Sequence, residues 1–284
     1  MAVGDLVTAD WQLEFGGMLI GDSTDYSIAV ISGLAELPNV RSNDQILLRT
    51  DGLWAGDDFV GQRKLTLSIE IDTRNSATAF DDLARAFVPG APEAPLVFQV
   101  PQIAGGIKCR VYGRPRRRSA PINLEWLYQL PIVVLELDCT DPRIYADAAT
   151  VHTGRTLAAA TGGLAWPLTF DLDWGSFNAG TFVADNAGSI QAPAVFTFHG
   201  PLTNPRVENL TQGRTMEFLI ALGAGETLTV DTAARTILIG GTASRSGALT
   251  AASQWFHIGT SDTIRFAASA GTGTLDVVWR SSWL

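Results

Sequence analysis

From Asn204 to Leu284 apolar and polar residues alternate in short runs, and Gly or small-residue turns cut the runs every few positions. A period of two puts the apolar side chains on one face of a ribbon, and a lone ribbon cannot hide that face. The segment must therefore pair sheets. Met216, Phe218, Ile220 and Leu222 share a face, Gly223-Ala224-Gly225 turns the chain, and Leu228 and Val230 alternate with Thr227, Thr229 and Asp231. This spacing predicts a hairpin about that turn. Ile237 and Ile239, then Ile264 and Phe266, then Leu275, Val277 and Trp279 continue the pattern. Upstream, Leu168, Phe170, Leu172 and Trp174 read as a strand, as do Ala194, Phe196 and Phe198. So many short strands suit a sandwich or jelly roll.

The first half is a second, mainly β module with one helix. Trp11, Leu13 and Phe15 alternate with Asp10, Gln12 and Glu14, and Tyr26, Ile28 and Val30 repeat the pattern. Leu65, Leu67, Ile69 and Ile71 make the cleanest amphipathic strand, and one face of the sheet these strands form, with Gln12 and Glu14 on it, is expected to be wet. Asn75 or Ser76 caps a helix near 76–87 that aligns Phe80, Leu83, Ala84 and Phe87, and Pro89-Gly90 stops it. Further strands are expected at Leu96–Val100, Ile107–Val111 and Leu130–Cys139. A turn-rich stretch between Gly52 and Gly61, holding Trp54, Asp57, Asp58 and Phe59, is expected to protrude as a long hairpin or loop. Asp141-Pro142 ends the module, and 146–163 is rich in Ala, Thr and Gly. The expected division is thus a domain over 1–145, a linker over 146–163 and a sandwich over 164–284.

Composition excludes several functions. The 284 residues carry 20 Lys and Arg against 29 Asp and Glu, a net charge of −9, which opposes gripping nucleic-acid phosphates or anionic lipid. Cys109 and Cys139 are the two cysteines, each in an alternating run, and read as buried thiols. No stretch reaches the roughly twenty apolar residues of a membrane helix, and Met1 to Phe15 lacks a secretory signal, so synthesis in the cytoplasm and no membrane insertion are expected.

Catalytic groups are sparse. Nucleophilic catalysis asks for a base beside Ser or Cys, and His152, His199 and His257 are the three histidines, read as surface or half-buried residues. No G-x-S-x-G, H-E-x-x-H or phosphate-loop pattern is present, so neither catalytic residue nor cofactor is expected. Asp171 and Asp173, two apart on a strand with Asp185 following, are the one place for a hard cation such as Ca²⁺, against the ordinary reading of a solvated strand face. Arg116, Arg117 and Arg118, just after Arg114-Pro115, form the densest charge; in an acidic chain they point to a contact with a protein partner, against a solvated loop. The helix is read as packing on its own sheet, with its polar face of Asp81, Asp82 and Arg85 the candidate surface should a neighbour meet it. Trp255 and Trp283 are the tryptophans least bound by the alternation and so the candidates for stacking on sugar.

Asn204-Pro205-Arg206-Val207-Glu208-Asn209, Leu222 to Asp231, Asp262-Thr263-Ile264-Arg265-Phe266 and the closing Val278 to Leu284, taken with Asp141-Pro142-Arg143-Ile144-Tyr145 and Gly61 to Leu67, resemble the distal tail proteins of long-tailed bacteriophages. The likeness is strongest to the two-domain kind from phages of actinobacteria. It implies a ring-forming β-sandwich or split barrel with one packed helix, followed by a galectin-like or jelly-roll β-sandwich. It also implies a homo-hexamer joining the tail tube protein to the tail hub or tail-associated lysin, with the tape-measure protein and, transiently, DNA in the channel. The competing readings are an adhesin whose sandwich holds host cell-wall glycan, and a glycoside hydrolase with two of the many carboxylates as its acid and base.

Overall fold

Alternation decides the architecture here, because each strand buries every second residue. The computed structural model describes residues 2–73, 75–90, 92–161, 176–178 and 180–284. They divide into a first unit, Met1–Ala148 with Trp283–Leu284, and a second, Ala149–Ser282. The segment expected as a linker holds the strand Thr150–Thr156, which pairs with Thr274–Trp279 inside the second unit. Its small residues suit a strand as well as a loop, and a partner strand distant in sequence settles the matter. The strand expected over Leu168–Trp174, with Asp171 and Asp173, lies outside the described residues.

In the first unit an antiparallel sheet runs in the order Met18–Gly21, Gln12–Phe15, Ala94–Gln99, Cys109–Ser119, Ile132–Cys139, Arg63–Ile71, Tyr26–Ser32. Leu65, Leu67, Ile69 and Ile71 are fully buried, and Val133, Leu135, Leu137 and Cys139 face the same core. Cys109–Ser119 links the two halves of the sheet. Its first five residues pair with Ala94–Gln99 and its last with Ile132–Cys139, and the register shifts between Pro115 and Arg117. Such a bulge bends a strand, and Pro115 lacks the N–H a regular ladder would use. The strand therefore extends eight residues beyond Val111, through the arginines expected on a loop.

The helix Ser76–Ala86 covers this core with Ala79 and Leu83, and Phe87 at its end stacks on Phe15 with ring centroids 4.7 Å apart. Burying Phe87 contributes roughly 2 kcal/mol. Phe80 and Ala84 are half-buried, Phe80 meeting Trp126 edge-on at 5.2 Å.

One expectation fails in an instructive way. Gln12 and Glu14 are buried instead of wet, because the N-terminal segment folds over them. Glu14 accepts from the amides of Gly4 and Leu6, both at 3.0 Å, and Gln12 accepts from those of Thr8 and Ala9. Each buried polar end thus answers otherwise unpaired backbone donors.

A second buried polar group holds the root of a long excursion between Ser32 and Arg63. The Arg63 side chain is 1% exposed and donates to the carbonyls of Gly33, Leu34, Glu36 and Pro142 at 2.5 to 3.1 Å. Burial lowers its proton affinity from the ordinary value, and the guanidinium remains cationic at neutral pH. Gly33, at φ +85°, sits so close to the Lys64 carbonyl that a Cβ would fall 1.8 Å from its oxygen. Only glycine fits that crossing.

The second unit is a sandwich. One sheet runs Thr150–Thr156, Thr274–Trp279, Ala194–His199, Thr227–Asp231, Thr236–Ile239, Ala243–Ser244, and the other Thr181–Asp185, Ser261–Ala267, Arg206–Asn209, Arg214–Glu217. Phe196, Phe198, Phe218, Phe256 and Phe266 fill the space between. The hairpin expected about Gly223-Ala224-Gly225 is not formed. Ala221–Leu222 pairs instead with Leu202–Thr203, while Thr227–Asp231 enters the six-stranded sheet and makes its hairpin with Thr236–Ile239. Both strands match the alternation, so choice of partner rests on the far side of the fold. Asp262, 2% exposed, ties the sandwich end by accepting from Asn209, Gln212 and the Gly259 amide at 2.6 to 2.7 Å.

Cys109 and Cys139 are buried and unbridged, and burial pushes both thiols up to about 12, so they stay protonated and unreactive near neutrality. A water-soluble thiol reagent at pH 8 should leave both unlabelled until the first unit is unfolded by denaturant; labelling of native protein would show that the barrel opens. Arg63→Met strands four carbonyls and should cost the first unit about 3 kcal/mol. Hydrogen exchange should report the loss first at residues 33–36.

Candidate functional site

The sheet of the first unit is a barrel left open. Its strand order begins at Met18–Gly21 and ends at Tyr26–Ser32, and no ladder joins the two. An apolar groove of about 320 Å³ lies beside the Tyr26–Ser32 strand, lined by Trp11, Ile28, Val30, Leu34, Val100 and Ile103. On the other side of Trp11 is a polar hollow with Asp10, Asp22, Ser23 and Thr24 in its wall. Trp11 is 48% exposed and adopts φ +62°, a left-handed backbone that a bulky side chain rarely takes. Two backbone bonds hold it there: its amide donates to Gln99 O at 2.8 Å, and its carbonyl accepts from the Asp22 amide at 3.1 Å. Asp10 accepts from Gln99 Nε2 and Asp22 from Ser23, and among the described residues neither carboxylate has a cationic partner.

The second exposed surface is the excursion rooted by Arg63. It is a hairpin arm in two short ladders, Val40–Arg41 with Phe59–Val60 and Gln45–Ile46 with Leu53–Trp54. The arm expected between Gly52 and Gly61 thus begins earlier, and Gly52 lies at its tip. Ile46 is 76% exposed, Leu48 95% and Trp54 68%. So much exposed apolar side chain on one thin element is unusual for a surface with no partner. The signal in the sequence is Asp51-Gly52 between short apolar runs, a common hairpin turn. Nothing comparable marks the groove, whose lining comes from four separate stretches.

The basic cluster is less available than its sequence suggests. Arg116 Nε meets Asp138 at 3.2 Å and Arg117 Nη1 meets Glu136 at 3.0 Å, both across the Cys109–Ser119 and Ile132–Cys139 ladder. Arg118 donates to Ala84 O at 3.0 Å and lies 5.6 Å from the Phe80 ring centre, which ties strand to helix. Exposed pairs of this kind contribute little stability, about 0–1 kcal/mol, but they cancel the local charge. On the helix, Asp82 and Arg85 pair with each other at 2.9 Å, and Asp81 is exposed.

In the second unit His199 meets Asp276 at 2.9 Å, and His152 accepts from Arg155 and packs its ring against Trp279 and Phe182. Burial, then Arg155, lowers the His152 proton affinity. The His257 ring lies 3.3 Å from the Thr232 carbonyl. Among the described residues no group of three or more His, Cys, Asp or Glu could hold a metal ion, and Asp171 and Asp173 are not among them. Trp255 is half-buried against the sandwich core. Trp283 belongs to the first unit and packs against its core, so it is not a residue of the sandwich surface. Among the described residues no helix is long and apolar enough to cross a membrane.

Comparison with known proteins follows the same division. Residues 187–283 match the family model of the siphovirus-type tail component, C-terminal domain. Among solved structures, the SPP1 Dit protein, described as a paradigm of the hub adsorption apparatus in Gram-positive infecting phages, aligns with a TM-score of 0.66 at 12% identity over 96% of this chain and 99% of that one. Two structures of the phage p2 baseplate in its activated conformation align with TM-scores of 0.50 and 0.52 at 9% and 8% identity, covering 91% and 95% of this chain and 91% and 96% of theirs. Comparison with curated protein sequences returns no match. Residues 187–283 thus carry a siphovirus-type tail-component domain, and along its length the chain has the fold of the SPP1 Dit protein.

Proposed function

We propose that six copies of the chain close head to tail into a ring at the tail tip, joining the tail tube to the tail hub or tail-associated lysin. The first unit forms the ring. The observation that carries this reading is the open barrel: its terminal strands, Met18–Gly21 and Tyr26–Ser32, each lack a partner on one side. Unpaired edges invite other chains, and a natural protein covers or blunts them. A repeated head-to-tail contact covers every edge of this kind once the ring closes. The likeness to hub and baseplate proteins supports the same reading. The net charge of −9 suits a conduit as well, since a wall of like sign keeps passing DNA from adhering.

Negative-stain images of purified tails, with a gold-labelled tag on this chain, should show label at the distal tip and six-fold rings in end views. Label along the tube, or single copies, would overturn the reading. An acidic conduit should also leave duplex DNA unretarded in a native gel at about 0.15 M salt, the ionic strength at which charges are screened beyond roughly 8 Å. Retardation there would mean a basic binding surface that the charge count hides.

A further inference from the structure

Asp51-Gly52 stands at the tip of the arm, and nowhere else in the sequence is an aspartate or asparagine followed by glycine. Two rungs, Gln45 with Trp54 and Ile46 with Leu53, close a turn over residues 47–52. Inside it a single long bond runs from the Leu47 amide to the Gly52 carbonyl, at 3.4 Å. Asp51 and Gly52 are both exposed. Gly52 adopts φ +113° in open surroundings, where a Cβ would meet nothing nearer than Leu47 Cδ1 at 3.8 Å.

Two reactive groups therefore lie side by side and unoccupied. Among the described residues the Asp51 carboxylate accepts no hydrogen bond and meets no cation, and the Gly52 amide donates to no acceptor. The other aspartates of the arm differ in kind. Asp44 accepts from the Gly56 amide at 2.9 Å, which occupies its carboxylate. Asp57 and Asp58 precede Asp58 and Phe59, whose side chains crowd the amide nitrogen that would have to attack. Glycine alone leaves that nitrogen bare.

We propose that Asp51 is a site of spontaneous isomerisation to isoaspartate. The Gly52 nitrogen attacks Asp51 Cγ; an N–Cγ bond forms, the Cγ–OH bond breaks, and the amide proton leaves with the hydroxyl as water. Water then adds to the Asp51 main-chain carbonyl carbon of the succinimide ring and breaks its bond to nitrogen, so the chain now runs through Cγ. The net change is a rearrangement that needs no reagent but water. It adds one carbon to the main chain of the turn and rebuilds the tip that carries Leu48, while Arg63 and the core of the first unit stay as they are. The apolar end of the arm thus changes with the age of the protein.

The full chain, kept for several weeks at pH 6 and at pH 8 and then cleaved with trypsin, releases Thr50–Arg63 as one peptide. A second peptide of the same mass should appear and should take a methyl group from S-adenosylmethionine when isoaspartyl methyltransferase is added. Electron-transfer fragments should place the change at residue 51, not at 57 or 58. Growth should be faster at pH 6, because ring closure expels water from the neutral acid, and severalfold faster than at any other aspartate. D51E, which keeps the charge, should abolish it. A synthetic Thr50–Arg63 peptide supplies the unprotected rate. A folded chain that reacts within a fewfold of the peptide upholds the proposal; one slower by an order of magnitude or more, or faster growth at another aspartate, overturns it. Thermal unfolding of aged and fresh protein should coincide, and a fall that tracks the new peptide would refute confinement of the change to the arm.

Discussion

An unpaired β-strand edge is a row of backbone donors and acceptors, and this protein is organised around what becomes of those rows. In the first unit the sheet bends at the bulge between Pro115 and Arg117 far enough to wrap a core, yet stops short of pairing its two ends. A closed barrel would have no edge to offer. The open one keeps free strand edges, with an apolar groove and an exposed tryptophan beside one of them.

Buried polar side chains let such an irregular structure persist. Arg63 gathers four carbonyls at the root of the arm, Glu14 and Gln12 answer the amides of the N-terminal segment, and Asp262 draws three donors together at one end of the sandwich. In each case a side chain replaces a ladder partner that the local backbone cannot find. The same logic explains Asp141-Pro142-Arg143-Ile144-Tyr145, where Asp141 accepts from the Arg143 amide and guanidinium and from the Tyr145 hydroxyl. Burial and the nearby carboxylate raise the proton affinity of that phenol, which keeps it a donor.

Charge behaves differently in sequence and in space. Arg116, Arg117 and Arg118 form the densest basic run of the chain, but Asp138, Glu136 and the helix occupy them. Arg49, exposed at the tip of the arm with Asp51 two residues on, makes no ion pair among the described residues. A run of like charge along a strand faces the adjacent strand before it faces solvent, so its partners are chosen by register.

The sequence by itself determined much that depends on neighbours along the chain. The mainly β class, the helix over 76–87, the amphipathic strand at 65–71, the buried thiols and a protruding hairpin all follow from period and turn chemistry, because these act within a few residues. The tail-protein resemblance was also legible there, from the phrases between Asn204 and Leu284 above all. Tertiary structure alone decided which strands pair across the sandwich, that Gln12 and Glu14 lie inside, that the strand Thr150–Thr156 replaces a linker, that Trp283 belongs to the first core, and that the barrel stays open. Each of these depends on groups tens of residues apart meeting in space, and an alternating strand carries no mark of the partner it will meet.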